Sequence, residues 1–189
     1  MLIPDIDPIA IQIGPLAIRW YGLTWLAAFS TIYFLIKKFQ KDLNIDQVSD
    51  LMFYSLLGAI LGGRAGYVLF YSFDQFIDNP LSIFAIWQGG LSFHGGLIGV
   101  LIGCYWLSKR WSMNFFWLMD RVAPFVPPGL GFVIFGNFLN AELLGRPTEV
   151  SWGVIFPSDP LSLTRHPAQL YQAFGEGLIL FAYMLFISR

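Results

Sequence analysis

The 189-residue sequence has few charged residues and only one cysteine. Charged residues make up 12% of the chain, whereas soluble domains carry roughly 25%. The net charge of −1 provides no basic surface for nucleic acid, and Cys104 alone cannot form a disulfide framework or a cysteine-rich metal site. With 56% hydrophobic residues and a mean hydropathy of +0.62, this composition excludes a soluble domain and indicates a membrane protein.

Long apolar runs predict an all-α, polytopic transmembrane bundle of about five spans, forming a single domain over residues 1–189. A helix needs about 20 apolar residues to cross a hydrocarbon core of about 30 Å. The runs near this length are residues 16–36, 51–71, 91–107, 114–138 and 168–187. Pro124, Pro127 and Pro128 predict a kink or break in the fourth run, and residues 145–167 read as a polar loop.

The distribution of charge predicts the orientation of these spans. The basic residues that fall on one side are Lys37, Lys38, Lys41, Lys109, Arg110 and Arg189. The acidic residues that fall on the other side are Asp5, Asp7, Asp74 and Asp78. Because basic residues favour the cytoplasmic side, we expect the N-terminus outside and the C-terminus in the cytoplasm. The N-terminus lacks the basic region of a cleavable signal peptide, so the first span is expected to remain.

The stretch Pro128–Thr148 begins as an apolar segment and then becomes polar. If it is helical throughout, Asn137 and Asn140 share a face, and Glu142 reaches Arg146 one turn later. Polar groups close to lipid need partners and often mark a functional site. The alternative is that they form polar contacts between packed helices.

Arg64 lies in the second apolar run among small residues. Glycines recur there every fourth residue, a spacing that allows close helix approach, at Gly58, Gly62 and Gly66. An arginine deep in a bilayer costs about 2.5–3.5 kcal/mol on insertion scales and needs a partner. Lipid phosphate is one candidate partner for Arg64, and an internal salt bridge to Glu142 or Glu176 is the other.

His94 and Arg165 complete the set of candidate site residues. His94 is flanked by glycines, and a neutral imidazole accepts a proton near pH 7, so it is either catalytic, substrate-orienting or a packing residue. Arg165 either binds an anion or anchors the chain at the interface. In the five-span scheme these residues, with Tyr21, Arg64 and the run from Asn137, fall in the outer half of the bilayer. The sequence therefore predicts a site that faces the outer leaflet.

Five segments in this order resemble the prolipoprotein diacylglyceryl transferases, multi-pass proteins of the bacterial inner membrane. The segments are RWYGL (19–23), GGRAGYVLFY (62–71), GGLSFHGGLIG (89–99), GNFLNAELLGRPT (136–148) and RHPAQLYQ (165–172). The resemblance covers nearly the whole chain.

The resemblance implies that the diacylglyceryl group of phosphatidylglycerol moves to the lipobox cysteine thiol of a prolipoprotein, with release of glycerol phosphate. The implied partners are phosphatidylglycerol, the prolipoprotein signal peptide and the bilayer, with no nucleic acid, metal or cofactor. His94 and Tyr21 are the implied catalytic residues. Implied contacts with phosphatidylglycerol are Arg64, Asn137, Asn140, Glu142, Arg146, Arg165 and position 134.

The sequence departs from the family pattern at several points. Ile134 stands where the family has an arginine, Val133 replaces a glycine, and Gln172 stands where a glutamate is frequent. Losing one contact to developing charge costs a factor of about 10² to 10³ in rate. Five spans instead of the usual seven suggest a C-terminally truncated and impaired transferase. The alternatives are a non-catalytic relic that binds lipid or a partner, and a small transport component, whose polar residues would be spread across the bilayer.

Overall fold

The computed structural model describes residues 7–14, 16–86 and 89–188 and is mostly helical. Its α-helices are α1 (Trp20–Phe39), α2 (Ile45–Tyr71), α3 (Phe73–Asp78), α4 (Phe93–Arg110), α5 (Phe115–Val122), α6 (Val126–Leu139), α7 (Ala168–Gln172) and α8 (Leu180–Ile187). The 3₁₀ turns Pro80–Phe84 and Ala123–Phe125 and the π-helical segment Ala173–Ile179 lie between helices. Antiparallel pairs join β1 (Ile9–Ile13) to β2 (Leu16–Arg19) and β3 (Val154–Ile155) to β4 (Thr164–Arg165). Asp5 and Arg189, which enter the orientation argument, lie outside the described residues.

Among the described residues, three helical stretches are long and apolar enough to cross a membrane. They are Ile45–Tyr71, Phe115–Leu139 and Ala168–Ile187. They coincide with the second, fourth and fifth predicted spans, so the prediction of a helical membrane protein is confirmed. The first and third predicted spans also form helices, α1 and α4. Five crossings, their orientation and a single domain stay predictions.

The first helix begins later than the apolar run. The run starts at residue 16, but Leu16–Arg19 pairs with Ile9–Ile13 in a hairpin. Gly14, at the turn, has a φ of +58°, a conformation that suits glycine. The amide of Trp20 then donates to the carbonyl of Pro8 over 3.1 Å, and the helix starts there.

The second helix begins earlier than predicted because a capping box fixes its start. The Asn44 side chain accepts from the Gln47 amide over 2.8 Å, and the Gln47 side chain accepts from the Asn44 amide over 2.9 Å. Such caps stabilise a helix by about 0.5–2 kcal/mol. The polar first turns of α2 therefore form helix, although an apolar-run criterion does not include them.

The prolines of the fourth span divide it as predicted. The helix α5 ends at Val122, and Pro124 lies in the following 3₁₀ turn. The helix α6 then starts at Val126 with Pro127 and Pro128 in its first turn, where the missing proline N–H costs nothing. The predicted break is confirmed.

The contacts among described residues form two compact units. In the unit Phe39–Arg121, α2 and α4 meet through their glycines. A Cβ atom added at Gly66 would lie 2.9 Å from the Cα of Gly95, and one at Gly62 would lie 2.9 Å from the Cα of Gly99. Side chains larger than hydrogen do not fit, so the predicted role of the α2 glycines in close helix packing is confirmed.

The other unit contains the described residues up to Lys38 and from Val122 onward. In it α6 packs against α1 on one side, where a Cβ atom at Gly136 would lie 3.1 Å from the Tyr21 ring. It also packs against the π-helical segment, where a Cβ atom at Gly131 would lie 3.1 Å from the Cα of Gly177. These contacts hold the C-terminal end of α6, from which the polar loop begins.

Candidate functional site

The helix α6 ends in a Schellman motif immediately after its asparagines. The Ala141 amide donates to the Phe138 carbonyl over 3.1 Å, and the Glu142 amide donates to the Asn137 carbonyl over 2.9 Å. Ala141 has a φ of +51°, which turns the chain out of the helix. The condition under which Glu142 would reach Arg146 along one helix face, a helix that continues to Arg146, is therefore not met.

The chain after the motif forms a loop that is bound to a second polar segment. The Thr148 amide donates to the Thr164 carbonyl over 2.9 Å, and the His166 amide donates to the Arg146 carbonyl over 3.0 Å. Pro147 forms a β-bridge with Arg165. The main chain of this loop is thus fixed, while the side chain of Arg146 is exposed.

Arg165 pairs with a carboxylate that the sequence interpretation did not include. Its Nε and Nη2 donate to the two oxygens of Asp159 over 2.7 and 3.0 Å, and its Nη1 donates to the Gly145 carbonyl over 3.2 Å. Asp159 is buried and also accepts from the amides of Leu161 and Leu163. The geometry supports the anchoring alternative for Arg165, because its anion is part of the protein.

This pair shifts two pKa values. Hydrogen bonds from Arg165 lower the pKa of Asp159 to about 2; burial opposes the shift, and the amides of Leu161 and Leu163 add to it. The same hydrogen bonds raise the pKa of Arg165. Both groups are therefore charged at neutral pH, and the loop that carries them is held by an ion pair.

Two amide side chains are anchored to Glu142 by their nitrogen atoms. Asn140 Nδ2 donates to the Glu142 carboxylate over 3.4 Å, and Gln169 Nε2 donates to the Glu142 main-chain oxygen. Among the described residues, Asn140 Oδ1 and Gln169 Oε1 are the buried side-chain atoms without a partner. A buried acceptor without a donor costs about 1–3 kcal/mol. Gln169 was not among the predicted site residues, and its position within RHPAQLYQ is the only signal that points to it.

Tyr21 lies against the part of α6 that carries Asn137. Its ring contacts the surface of Gly136, the residue before Asn137, and its carbonyl accepts from the Thr24 hydroxyl over 2.9 Å. Asn137 is half-buried. Ile134, three residues earlier, is 7% exposed. The structure thus brings two predicted residues, Tyr21 and Asn137, into one neighbourhood.

His94 and Arg64 belong to the other compact unit. His94 is exposed and is the second residue of α4. Arg64 is 6% exposed. Its guanidinium donates to the main-chain carbonyls of Ser82, Ile83, Gly89 and Gly90. These neutral acceptors are neither the lipid phosphate nor the carboxylate that the sequence suggests for this arginine.

Within residues 7–14, 16–86 and 89–188, no group of three or more His, Cys, Asp and Glu side chains is arranged to hold a metal ion. In the unit that contains α6, the polar groups that do converge are the side-chain amides of Asn140 and Gln169, the carboxylates of Glu142 and Asp159, and the guanidinium of Arg165. Such groups recognise anions and hydroxyls. The apolar helices define a membrane protein, and these polar groups are its candidate site.

Comparison with known proteins identifies the family. The family model for prolipoprotein diacylglyceryl transferase matches residues 8–189. A phosphatidylglycerol–prolipoprotein diacylglyceryl transferase of Marinomonas sp. (strain MWYL1) is 49% identical over 190 residues, which cover 98% of this chain and 71% of the relative. The transferase of the same name from Pseudomonas savastanoi pv. phaseolicola (strain 1448A / Race 6) is 50% identical over 192 residues, with the same coverage. The chain belongs to the prolipoprotein diacylglyceryl transferase family, as its five segments predict.

Proposed function

We propose that this protein transfers the diacylglyceryl group of phosphatidylglycerol to the lipobox cysteine of a prolipoprotein, as a multi-pass protein of the bacterial inner membrane. The observation that carries the proposal is the family match over residues 8–189. Relatives that are 49–50% identical are named for this reaction. The apolar helices support the membrane location.

The proposed reaction has two chemical requirements. A bond forms between the cysteine sulfur and a glyceryl carbon, while the bond from that carbon to a phosphate oxygen breaks. The thiol, with an ordinary pKa of about 8.5, must lose its proton because the thiolate is the nucleophile. The departing glycerol phosphate carries negative charge, which cations or hydrogen-bond donors must stabilise.

We assign the proton chemistry to His94 and Tyr21. An exposed imidazole at the start of α4 is able to accept the thiol proton. The Tyr21 hydroxyl donates and accepts hydrogen bonds, and the Tyr21 ring lies against Gly136, the residue before Asn137. These two residues are the proposed catalytic groups.

We assign the lipid headgroup to the loop that follows α6. Arg146 is exposed, so its guanidinium is the proposed phosphate ligand. Asn137, Asn140 and Glu142 are proposed to orient the oxygens of the headgroup. Arg64 and Arg165 already donate to protein acceptors, so their proposed contribution is to hold the surrounding main chain.

A transfer assay with the purified protein tests the proposal. Phosphatidylglycerol labelled in its acyl chains is mixed with a lipobox peptide, and the thioether product is detected by mass spectrometry. A peptide with serine in place of cysteine is the control. Ile134→Arg is expected to raise the rate by about 10² to 10³ because it restores a cation at the family position, whereas Ile134→Leu is expected to change little.

Complementation of a transferase-depleted bacterium extends the test to cells. Growth with the unchanged chain would show that it acts unaided. Growth only with Ile134→Arg would locate the deficit at that position. The proposal fails if neither chain supports growth and neither yields thioether product in the assay.

A further inference from the structure

The Arg64 guanidinium donates hydrogen bonds to main-chain carbonyls in two separate segments of the chain. Its Nε donates to Ile83 over 3.1 Å and its Nη2 donates to Ser82 over 2.5 Å, both in the 3₁₀ turn. Its Nη1 donates to Gly89 over 2.5 Å and to Gly90 over 3.3 Å. A guanidinium has five N–H groups, so four of them are used. We call this arrangement the Arg64 clamp.

The glycines of the clamp have a conformation that fixes where their carbonyls point. Gly89 and Gly90 have φ angles of +81° and +79°, values that glycine adopts without strain. A Cβ atom at Gly90 would collide with the ring of Tyr67, which itself lies 5.6 Å from the Arg64 guanidinium. Arginine, glycines and ring therefore determine one another's positions.

The clamp leads directly to the start of α4. Two residues after Gly90, the amide of Ser92 donates to the carbonyl of Gly63 over 2.8 Å, next to Arg64 on α2. The Ser92 hydroxyl then caps α4 by accepting from the Gly95 amide over 3.3 Å. His94 lies between Ser92 and Gly95, so the bond from Ser92 to α2 and the cap on Gly95 fix the main chain on either side of His94.

We propose that Arg64 is a positioning residue, which fixes the start of α4 and thereby places the imidazole of His94. This inference rests on the proposed function for the role of His94, but not for the clamp itself. It differs from a direct contact between Arg64 and the lipid phosphate, because four N–H groups of the guanidinium are occupied and its side chain is buried.

The two roles predict different results for Arg64→Lys. If Arg64 binds the lipid phosphate, the lysine in Arg64→Lys should retain part of the binding, because its positive charge remains. If Arg64 instead holds the main chain, the lysine should lose this function. An ammonium has three donors on a flexible stem and cannot reproduce the planar arrangement of the guanidinium N–H groups. Misplacement of a reacting group by about 1 Å costs up to about 10²-fold in rate. We therefore expect kcat to fall by about 10- to 10²-fold with KM for phosphatidylglycerol nearly unchanged.

A test that does not need transfer activity uses the two histidines of the chain. Diethyl pyrocarbonate modifies imidazoles, and mass spectrometry measures its rates at His94 and His166 in one sample. His166 belongs to the other compact unit and serves as the internal reference. In Arg64→Lys we expect the ratio of the two rates to change severalfold, whereas loss of global stability would raise both rates.

Two further variants complete the experiment. Arg121→Lys is the matched control, because Arg121 forms a half-exposed pair with Asp42 that a lysine is able to keep, and its ratio should equal that of the parent. If Arg64→Lys does not fold, Gly90→Ala is measured instead, since its Cβ atom displaces the clamp while Arg64 remains.

An unchanged histidine ratio in the folded variant would overturn the inference, and so would a raised KM with normal kcat. If no transfer is seen but the ratio changes, the clamp stands and the proposed function fails. If transfer proceeds and the ratio is unchanged, the proposed function stands and the clamp does not position His94.

Discussion

Arg64 and Arg165 are both held by the protein, but different groups hold them. Arg165 faces the carboxylate of Asp159, which cancels its charge. Arg64 faces carbonyls, which satisfy its N–H groups without cancelling the charge. A carboxylate titrates and a carbonyl does not, so the loop around Arg165 should respond to acid, whereas the contacts of the Arg64 clamp should not.

Arg146 differs from Arg64 and Arg165 because it is exposed, so its substitution should have the largest effect on transfer. If it binds the phosphate, Arg146→Ala should lower the transfer rate by about 10² to 10³ and leave the unfolding temperature unchanged. The measurement is thioether formation alongside thermal unfolding in detergent. Arg110→Ala, also at an exposed arginine, is the control. Full activity of Arg146→Ala would exclude it as the phosphate ligand.

The Asp159–Arg165 pair should make stability depend on pH. The folded pKa of Asp159 is about 2, below the ordinary value of about 3.9. Its contribution to stability is therefore complete above about pH 4 and is lost as the pH falls towards 2. Asp159→Asn should lower the unfolding temperature at pH 7, and the difference from the parent should shrink between pH 4 and pH 2.

The control for this pH series is Asp42→Asn. Asp42 pairs with Arg121 with its side chain 57% exposed, and exposed pairs contribute about 0–1 kcal/mol. Its variant should unfold within a degree or two of the parent at neutral pH. Equal effects of the two variants, or a constant effect of Asp159→Asn over the pH series, would mean that the Arg165 pair is not a source of acid sensitivity.

Beside the Arg64 clamp, α2 and α4 approach closely through their glycines, and Gly62→Ala would disturb this approach. The added methyl would lie 2.9 Å from the Cα of Gly99, and overpacking of this kind costs about 1–3 kcal/mol. Gly22→Ala is the control because nothing lies within 4 Å of its added Cβ. Thermal unfolding should separate the two variants, and equal midpoints would show that the helices separate without cost.

The smallest expected effect concerns the turn that leads into the loop of Arg165. Ala141 has a φ of +51°, and this left-handed conformation costs roughly 1–2 kcal/mol for a residue with a Cβ. Ala141→Gly relieves that cost but loosens the unfolded chain, so a net gain of up to about 1 kcal/mol is expected. Ala182→Gly, in helix α8, should instead lose about 0.5–1 kcal/mol. A less stable Ala141→Gly would contradict this account.

Much of the helical architecture was predictable because long apolar runs and helix-breaking prolines leave direct signals. The 3₁₀ turn that divides the fourth span next to Pro124, Pro127 and Pro128 is an example. Helix ends were less predictable, since they depend on local hydrogen bonds. The capping box at Asn44 and Gln47 is readable in the sequence but lies outside the apolar run. The end of α6 carries no glycine signal, because Ala141 takes the conformation that glycine usually supplies.

The partners of the site residues were the least predictable part. The sequence marked Arg64 as a buried charge, but its acceptors are main-chain oxygens, which every residue possesses. Asp159 lies six residues before Arg165. This spacing does not predict an ion pair, because the pair forms only through the fold of the loop between them. The structure draws attention to Gln169 because its Oε1 atom is buried without a donor among the described residues. The type of a residue indicates which contacts its side chain is able to make, whereas the fold of the chain determines which partners it has.

The π-helical segment Ala173–Ile179 changes the rotational phase of the last span. A π turn closes with i→i+5 hydrogen bonds and contains more residues than an α turn. The faces of α8 are therefore turned relative to those that a continuous 3.6-residue period would project from α7. A helical wheel with a constant 3.6-residue period through residues 168–187 would therefore assign the residues of α8 to the wrong faces. Cross-linking experiments on α8 should therefore choose its side chains by the phase that follows the π-helical segment.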